Sequence, residues 1–355
     1  MENKTMKALV YQAPQNYGLM DVPVPQIIDP TDVIGKVTLA AICTSDIHIV
    51  HGEVASAVAP RIIGHEFCIE IVEIGADVKT VKPGDRCVVK PSASCGECVM
   101  CKMGVRSACL KGGIFGTTVD GCFAEYMRVP FADQKGELYK IPEGLDEESV
   151  ILLPDMLGTG YYACKIAEIK PGQTVAVIGV GPVGQSTCLL AKKVFGAKKV
   201  IAIDILPNRI DLALKAGVAD VGINPATDDI AAIIKEATGG MGVDCTIEGA
   251  GVAQTMAMAA GITRVGGIVS TISIFNEQYV GIPMNEMLIK GQKLHFGIQT
   301  QEGVPEMMKM IQDGKIDARF ITTHRAPLND IMKGFEVFGN RQDGCVKWLV
   351  TPYER

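Results

Sequence analysis

Four cysteines stand within fifteen residues, Cys95, Cys98, Cys101 and Cys109, at the spacing C-x2-C-x2-C-x7-C. Thiolates that close together suit tetrahedral zinc, and all-thiolate zinc sites are closed and structural. Gly96, Gly104, Gly112 and Gly113 supply the bends such a loop needs. Disulfides and an iron–sulfur cluster are the alternatives, and a reducing compartment disfavours the first. A fifth cysteine opens the run Cys43-Thr44-Ser45-Asp46-Ile47-His48, and His65-Glu66 follows Gly64. Asp155 is the odd residue, a carboxylate inside the apolar stretch from Ile151 to Leu157. Buried there, it needs a cation or a hydrogen-bonding partner. Spacing alone does not join Cys43, His65 and Asp155; taken singly, Cys43 reads as core and His65 as a satisfied histidine.

A second chemistry is written in glycine. Gly179-Val180-Gly181-Pro182-Val183-Gly184 fits G-x-G-x-x-G, a weak motif by itself. Its context strengthens it: the apolar strand Thr174 to Ile178 precedes it, a helix follows, and a second strand, Val200 to Ile203, ends in Asp204, twenty residues past Gly184. That is the fingerprint of a dinucleotide site. Gly179 permits a tight turn, Gly181 lets the backbone approach a pyrophosphate, and Gly184 lets helix and strand pack closely. The helix N-terminus offers free N–H groups to the phosphates. Asp204 can accept the adenosine ribose hydroxyls and would repel a 2′-phosphate, which predicts NAD(H) over NADP(H). Arg209 is either a phosphate partner or a surface helix arginine.

The elements that must position these residues fall into two kinds. Up to about residue 150 the chain reads as strands and loops with little helical periodicity. Val33 to Ala40 and Phe67 to Ile74 are strands, Lys82-Pro83-Gly84-Asp85 is a turn, and Arg86 to Lys90 is a short strand. Beyond that point strands and helices alternate. Strands are expected at Gln173–Ile178, Val200–Ile203, Val243–Ile247 and Gly267–Ser273, and helices at Val183–Phe195, Pro207–Ala216, Asp228–Thr238 and Ala253–Ala260. Alternation of this kind implies parallel βαβ units and a doubly wound sheet. The last sixty or so residues return to short mixed elements. The expectation is a strand-rich domain, 1–154 and 295–355, interrupted by a Rossmann domain, 155–294.

Bulk properties agree and exclude other classes. A chain of 355 residues is long for one core. Its 48% apolar and 21% charged residues fit a soluble globular protein. The net charge of −6, with no basic block, argues against nucleic acid. No apolar run is long enough to span a membrane, and the N-terminus lacks a signal-peptide core, so a cytoplasmic location is expected. The other seven of the twelve cysteines, Cys68, Cys87, Cys122, Cys164, Cys188, Cys245 and Cys345, read as buried small hydrophobes.

Gly64-His65-Glu66, the strand ending Val72-Glu73-Ile74-Gly75, and then Lys82-Pro83-Gly84-Asp85-Arg86 resemble the zinc signature of medium-chain alcohol dehydrogenases. The four-cysteine loop and the glycine motif follow in the family's order, so the resemblance covers the chain from about Met6 to its end. It implies a GroES-like catalytic domain beside the Rossmann domain. It implies two zinc ions per chain, one structural on the four cysteines and one catalytic on Cys43, His65 and Asp155. Aspartate at the third catalytic position resembles the bacterial and archaeal secondary-alcohol dehydrogenases. The four cysteines and Asp204 resemble the NAD-type threonine, sorbitol and butanediol enzymes instead. Glu66 matches a glutamate that tunes or transiently ligates the zinc. Ser45 and His48 match a proton relay, with His51 a competitor for the histidine's part, and Thr159 matches a residue beside the nicotinamide. By rough alignment Phe115, Ile274 and Ile298 line the substrate pocket.

The resemblance implies direct hydride transfer between a small, apolar secondary alcohol or ketone and NAD, in a homotetramer or homodimer. No Arg or Lys stands clearly placed for a substrate carboxylate, which disfavours an amino acid such as threonine. A polyol, butanediol or threonine dehydrogenase is the alternative enzyme. A non-catalytic zinc- and dinucleotide-binding protein is the other class. It predicts erosion of the ligands or the relay, whereas Cys43, Ser45, His48, His65, Glu66 and Asp155 are all present.

Overall fold

The computed structural model describes residues 4–353 except 276 and 278. The chain divides into two compact units: one takes in residues up to Asp155, Val304–Asp313 and the stretch from Thr322 onward, and the other holds Met156–Gly303 and Gly314–Ile321. The sequence reading closed the second unit at residue 294. The structure carries it further, because the strand Lys293–Phe296 pairs in parallel with Thr263–Thr271 as the edge of its sheet.

The first unit is built on a seven-stranded sheet among the described residues. Its central strand, Val33–Ile42, is buried along almost its whole length and pairs antiparallel with Glu66–Ile74 on one side and Trp348–Thr351 on the other. Arg86–Val89 continues the sheet beyond Glu66–Ile74. Ile42, Ile69, Phe67, Phe123 and Phe335 belong to one core cluster under this sheet. Two candidate ligands therefore sit at strand ends. Cys43 directly follows the central strand, and His65 directly precedes its neighbour, paired so that Glu66 faces Ala41.

The helix Thr44–His51 was not expected from the sequence. Its eight residues are too few to display a repeat, but its ends carry signals. Asp46 caps its first turn, accepting from the Cys43 N–H at 2.9 Å, and Gly52 closes it in the left-handed conformation (φ 81°).

The second unit is a parallel six-stranded sheet in the order Val221–Ile223, Lys199–Ile203, Thr174–Ile178, Val243–Glu248, Thr263–Thr271, Lys293–Phe296. Numbered along the unit this is 3-2-1-4-5-6, the doubly wound Rossmann order. Two of its inner strands, Thr174–Ile178 and Lys199–Ile203, are nearly continuous apolar runs, as expected where helices cover both faces. The helices fall where the sequence put them, within a few residues: Pro182–Lys193 with proline in its first turn, Pro207–Lys215, Ile230–Thr238 capped by Asp229, and Ala253–Ile262. Among the described residues no helix is long and apolar enough to cross a membrane.

Candidate active site

Cys43, His65, Glu66 and Asp155 converge. One ligand atom from each lies within 4.8 Å of the others. Cys43, His65 and Glu66 are buried, and the Asp155 side chain is 17% exposed. Asp155 lies in a wide π-type turn, Leu153–Leu157, the kind of irregular helix that recurs at functional sites. His65 Nδ1 is 3.0 Å from Asp46 Oδ1, and His65 Nε2 is 3.5 Å from Asp155 Oδ2. Asp46 is fully buried. It holds the imidazole by Nδ1 and the Cys43 amide by its other oxygen, which leaves Nε2 directed at the cluster. A carboxylate behind a ligating histidine is the usual support of a zinc ligand.

The electrostatics of the cluster ask for a cation. Burial pushes the Glu66 carboxyl up to about 7, against the pull of Lys347. Burial likewise raises the Cys43 thiol. Burial works against a charged His65, yet the Asp46 and Cys43 charges and the bond to Asp155 hold its pKa well above the usual range. Burial would also raise Asp155, but the hydrogen bond and charge of His65 keep it low. Lys347, completely buried, makes a short ion pair with Glu66 Oε1. Glu66 Oε2 has no hydrogen-bond partner although it is buried. A thiol, an imidazole and two carboxylates, one with an orphaned oxygen, form a donor set that fits zinc.

The four cysteines of the loop also gather. Sulfur separations are 3.5 Å for Cys98–Cys101, 3.9 Å for Cys98–Cys109 and 3.5 Å for Cys95–Cys109. Zinc–sulfur bonds of about 2.3 Å in a tetrahedron put sulfurs about 3.8 Å apart. All four are free thiols, as are the other eight, and the seven cysteines expected in the core are buried. Backbone N–H groups of Cys95 and Gly112 each lie 3.2 Å from Cys109 Sγ. Hydrogen bonds from the Leu110 and Cys101 amides draw the Cys98 thiol down to about 6, while burial and neighbouring thiols push Cys101 up to about 12.

Ser45 is exposed, with its Oγ 3.8 Å from Cys43 Sγ. His48 is half-exposed on the same helix, and its Nδ1 makes a short contact with Glu53. His51 ends that helix. Thr159 lies in the first turn of the helix Gly158–Ile166, in the second unit.

In the second unit the glycine turn meets its steric reasons. Gly179 has φ +82°, and a Cβ there would lie 2.6 Å from the Ala250 amide nitrogen; a Cβ on Gly184 would lie 2.1 Å from Gly179 O. Gly181 caps the helix Pro182–Lys193. Asp204 is 7% exposed, and its carboxylate accepts from Val180 N–H and Leu206 N–H, both at 2.9 Å. It therefore ties the glycine turn to the start of the next helix, a task the sequence did not reveal. Each oxygen keeps a lone pair for a ribose hydroxyl. Arg209 is not a solvent-facing helix arginine: its side chain is 17% exposed, and Nη1 lies 3.7 Å from Asp204 Oδ2.

Of the expected pocket residues, Phe115 belongs to the first unit and Ile274 and Ile298 to the second. Phe115 is fully buried in the core of the first unit, edge-on to Phe67, with centroids 5.4 Å apart. Ile274 and Ile298 are 85% and 68% exposed on the second unit. Sequence reasoning missed Asp46, Lys347 and Glu53. Asp46 was visible as an acid three residues past Cys43, and Lys347 as a lone charge in the apolar run Cys345 to Val350.

Two family models match the chain: the alcohol dehydrogenase GroES-like domain over residues 29–143 and the zinc-binding dehydrogenase model over residues 182–313. A zinc-type alcohol dehydrogenase B from Aspergillus flavus is 33% identical over 347 residues, 95% of this chain and 79% of its own. An L-threonine 3-dehydrogenase from Bacillus licheniformis is also 33% identical, over 98% of this chain and 99% of its own. The solved alcohol dehydrogenase TADH from Thermus sp. ATN1 superposes with a TM-score of 0.90 at 30% identity, covering 98% of this chain and 99% of that one.

Proposed function

This chain belongs to the medium-chain, zinc-type alcohol dehydrogenases, and on that premise we propose that it interconverts a secondary alcohol and its ketone using NAD(H). The observation that carries the reading is the convergence of Cys43, His65, Glu66 and Asp155 within 4.8 Å, in a chain that also bears the full dinucleotide fingerprint. When bound, zinc supplies Lewis acidity toward the substrate oxygen, and the nicotinamide exchanges hydride with the substrate carbon.

The chain's own residues do the positioning. Cys43, His65 and Asp155 hold the catalytic metal, and Asp46 orients His65 from behind. Glu66, paired with Lys347, stands beside them and balances the site's charge. Cys95, Cys98, Cys101 and Cys109 hold a second, structural zinc. Ser45 and His48 carry the alcohol proton outward, with His48 exposed enough to exchange with water. Thr159 adjoins the nicotinamide. Gly179, Gly181 and Gly184 shape the pyrophosphate turn, and Asp204, braced by Arg209, accepts the adenosine ribose hydroxyls. Twelve free thiols favour a reducing, cytoplasmic setting. Met284, Leu288, Ile289 and Phe296 are exposed apolar residues at and beside the edge strand of the parallel sheet. They favour pairing with further copies as a homotetramer or homodimer.

Initial rates for a panel of alcohols and ketones, with NAD(H) and NADP(H) side by side, test the proposal. Preference for secondary alcohols with NAD(H) is the expected result. Preference for NADP(H) would overturn the Asp204 argument. Activity confined to threonine or a polyol would replace the substrate assignment, a reading favoured by the threonine dehydrogenase relative.

A further inference from the structure

The helix Thr44–His51 ends in a closure that sets two ionisable side chains against each other. The Gly52 N–H donates to Ile49 O and the Glu53 N–H to His48 O, both at 2.9 Å. These are the two bonds of a Schellman motif, which is usually sealed by an apolar contact between the very residues held here by Glu53 and His48. Gly52 fixes the closure, since a Cβ there would lie 2.6 Å from Pro14 Cγ. Instead of an apolar seal, Glu53 Oε2 makes a short hydrogen bond with His48 Nδ1, and Oε1 lies 3.8 Å from His51 Nδ1. The His48 and Glu53 side chains are 36% and 53% exposed, so the pair contributes little to stability. Elsewhere the helix meets Gly339 at Ile47, Pro14 at Gly52, the Gln15 N–H at Val50 O and the His65 ring at Asp46; of these only His65 is titratable.

The hydrogen bond from His48 holds the Glu53 carboxyl below the usual range, so it is ionised at neutral pH. An ionised carboxylate only accepts, so Nδ1 must donate, and the neutral ring then carries its free lone pair on Nε2. Resting on the relay described above, we propose that Glu53 is a positioning residue for proton release: it locks His48 in the Nδ1–H tautomer and receives the departing proton. One proton enters at Nε2 and one leaves from Nδ1 through the carboxylate to water. Exchange with water then restores the starting tautomer, so one proton is released and both side chains are unchanged.

Nitrogen-15 shifts of the five histidines in the zinc-loaded full chain read the tautomer directly. The wild type is expected to show His48 as Nδ1–H, Glu53→Ala to lose that preference, and Glu53→Asp to keep part of it. In steady state, Glu53→Ala is expected to lower kcat for alcohol oxidation about tenfold, with KM little changed and imidazole buffer restoring the rate. An unchanged tautomer, or a loss that buffer does not restore, would overturn the proposal. His48→Gln separates the two layers. If it leaves oxidation unslowed, the relay itself fails. If it slows oxidation while Glu53→Ala does not, only the part given to Glu53 fails.

Discussion

The first unit carries two clusters that fit zinc, and they are built in opposite ways. The four-cysteine loop draws one kind of donor from fifteen consecutive residues and satisfies its sulfurs with its own backbone amides. The other cluster draws a thiol, an imidazole and two carboxylates from residues 43 to 155, and leans on Lys347 for charge. In the loop, Cys98 is drawn toward thiolate first by the Leu110 and Cys101 amides, with the neighbouring thiols of Cys101 and Cys95 adding to the pull. In the dispersed cluster burial raises both Cys43 and Glu66, so its charges rely on partners. A closed, self-contained loop suits a structural ion, and a mixed donor set with an orphaned oxygen suits a site that exchanges ligands.

The largest expected effect comes from Asp155→Asn. It should cut turnover more than about 100-fold, beyond the usual cost of losing a supporting residue, and drop zinc content by one ion with little loss of thermal stability. Cys98→Ser should also lose one ion, yet keep turnover at low temperature and melt earlier. Metal analysis with rates and melting curves reads both; equal behaviour of the two variants would break the contrast. Lys347→Met leaves Glu66 buried without its cation. Breaking such a pair costs about 3–5 kcal/mol, and chelated protein should suffer more than zinc-loaded protein when both are unfolded in denaturant. Asp46→Asn keeps the shape but weakens the hold on His65, so metal affinity or turnover should fall about 10- to 100-fold. No change in either would remove Asp46 from the site.

The same contrast explains what was legible in the sequence. The loop's ligands are close in the chain, so spacing alone named them. The glycine fingerprint and the Rossmann alternation were local too, and the four strands and four helices expected there fell within a few residues, while the short strands Val221–Ile223 and Lys293–Phe296 went unnamed. Cys43, His65 and Asp155 were joined only by resemblance, because strand register and a π-type turn bring them together. Lys347 meets Glu66 across 281 residues, a contact no window reveals. Glu53 was hidden for a different reason: the short helix that carries His48 shows no repeat, so its Schellman end went unread. Phe115 misled because rough alignment cannot tell a pocket wall from the edge-on ring beneath the sheet.

The smallest effect gives a direct probe of the loop. With zinc removed, Cys98 is half-buried and drawn down to about 6, while Cys101 is pushed up to about 12 and the core cysteines are buried. Only thiolate reacts with iodoacetamide. At pH 7 Cys98 should therefore be alkylated first, and the rate should fall as pH drops through about 6 and the thiol is reprotonated. Zinc should protect it, since coordination draws electron density from the sulfur and lowers its nucleophilicity toward the reagent. Peptide mapping by mass spectrometry reads the order of labelling. If Cys43 or a core cysteine reacts as fast as Cys98, the amides do not prepare the loop for metal, and its self-sufficiency relative to the dispersed cluster fails with them.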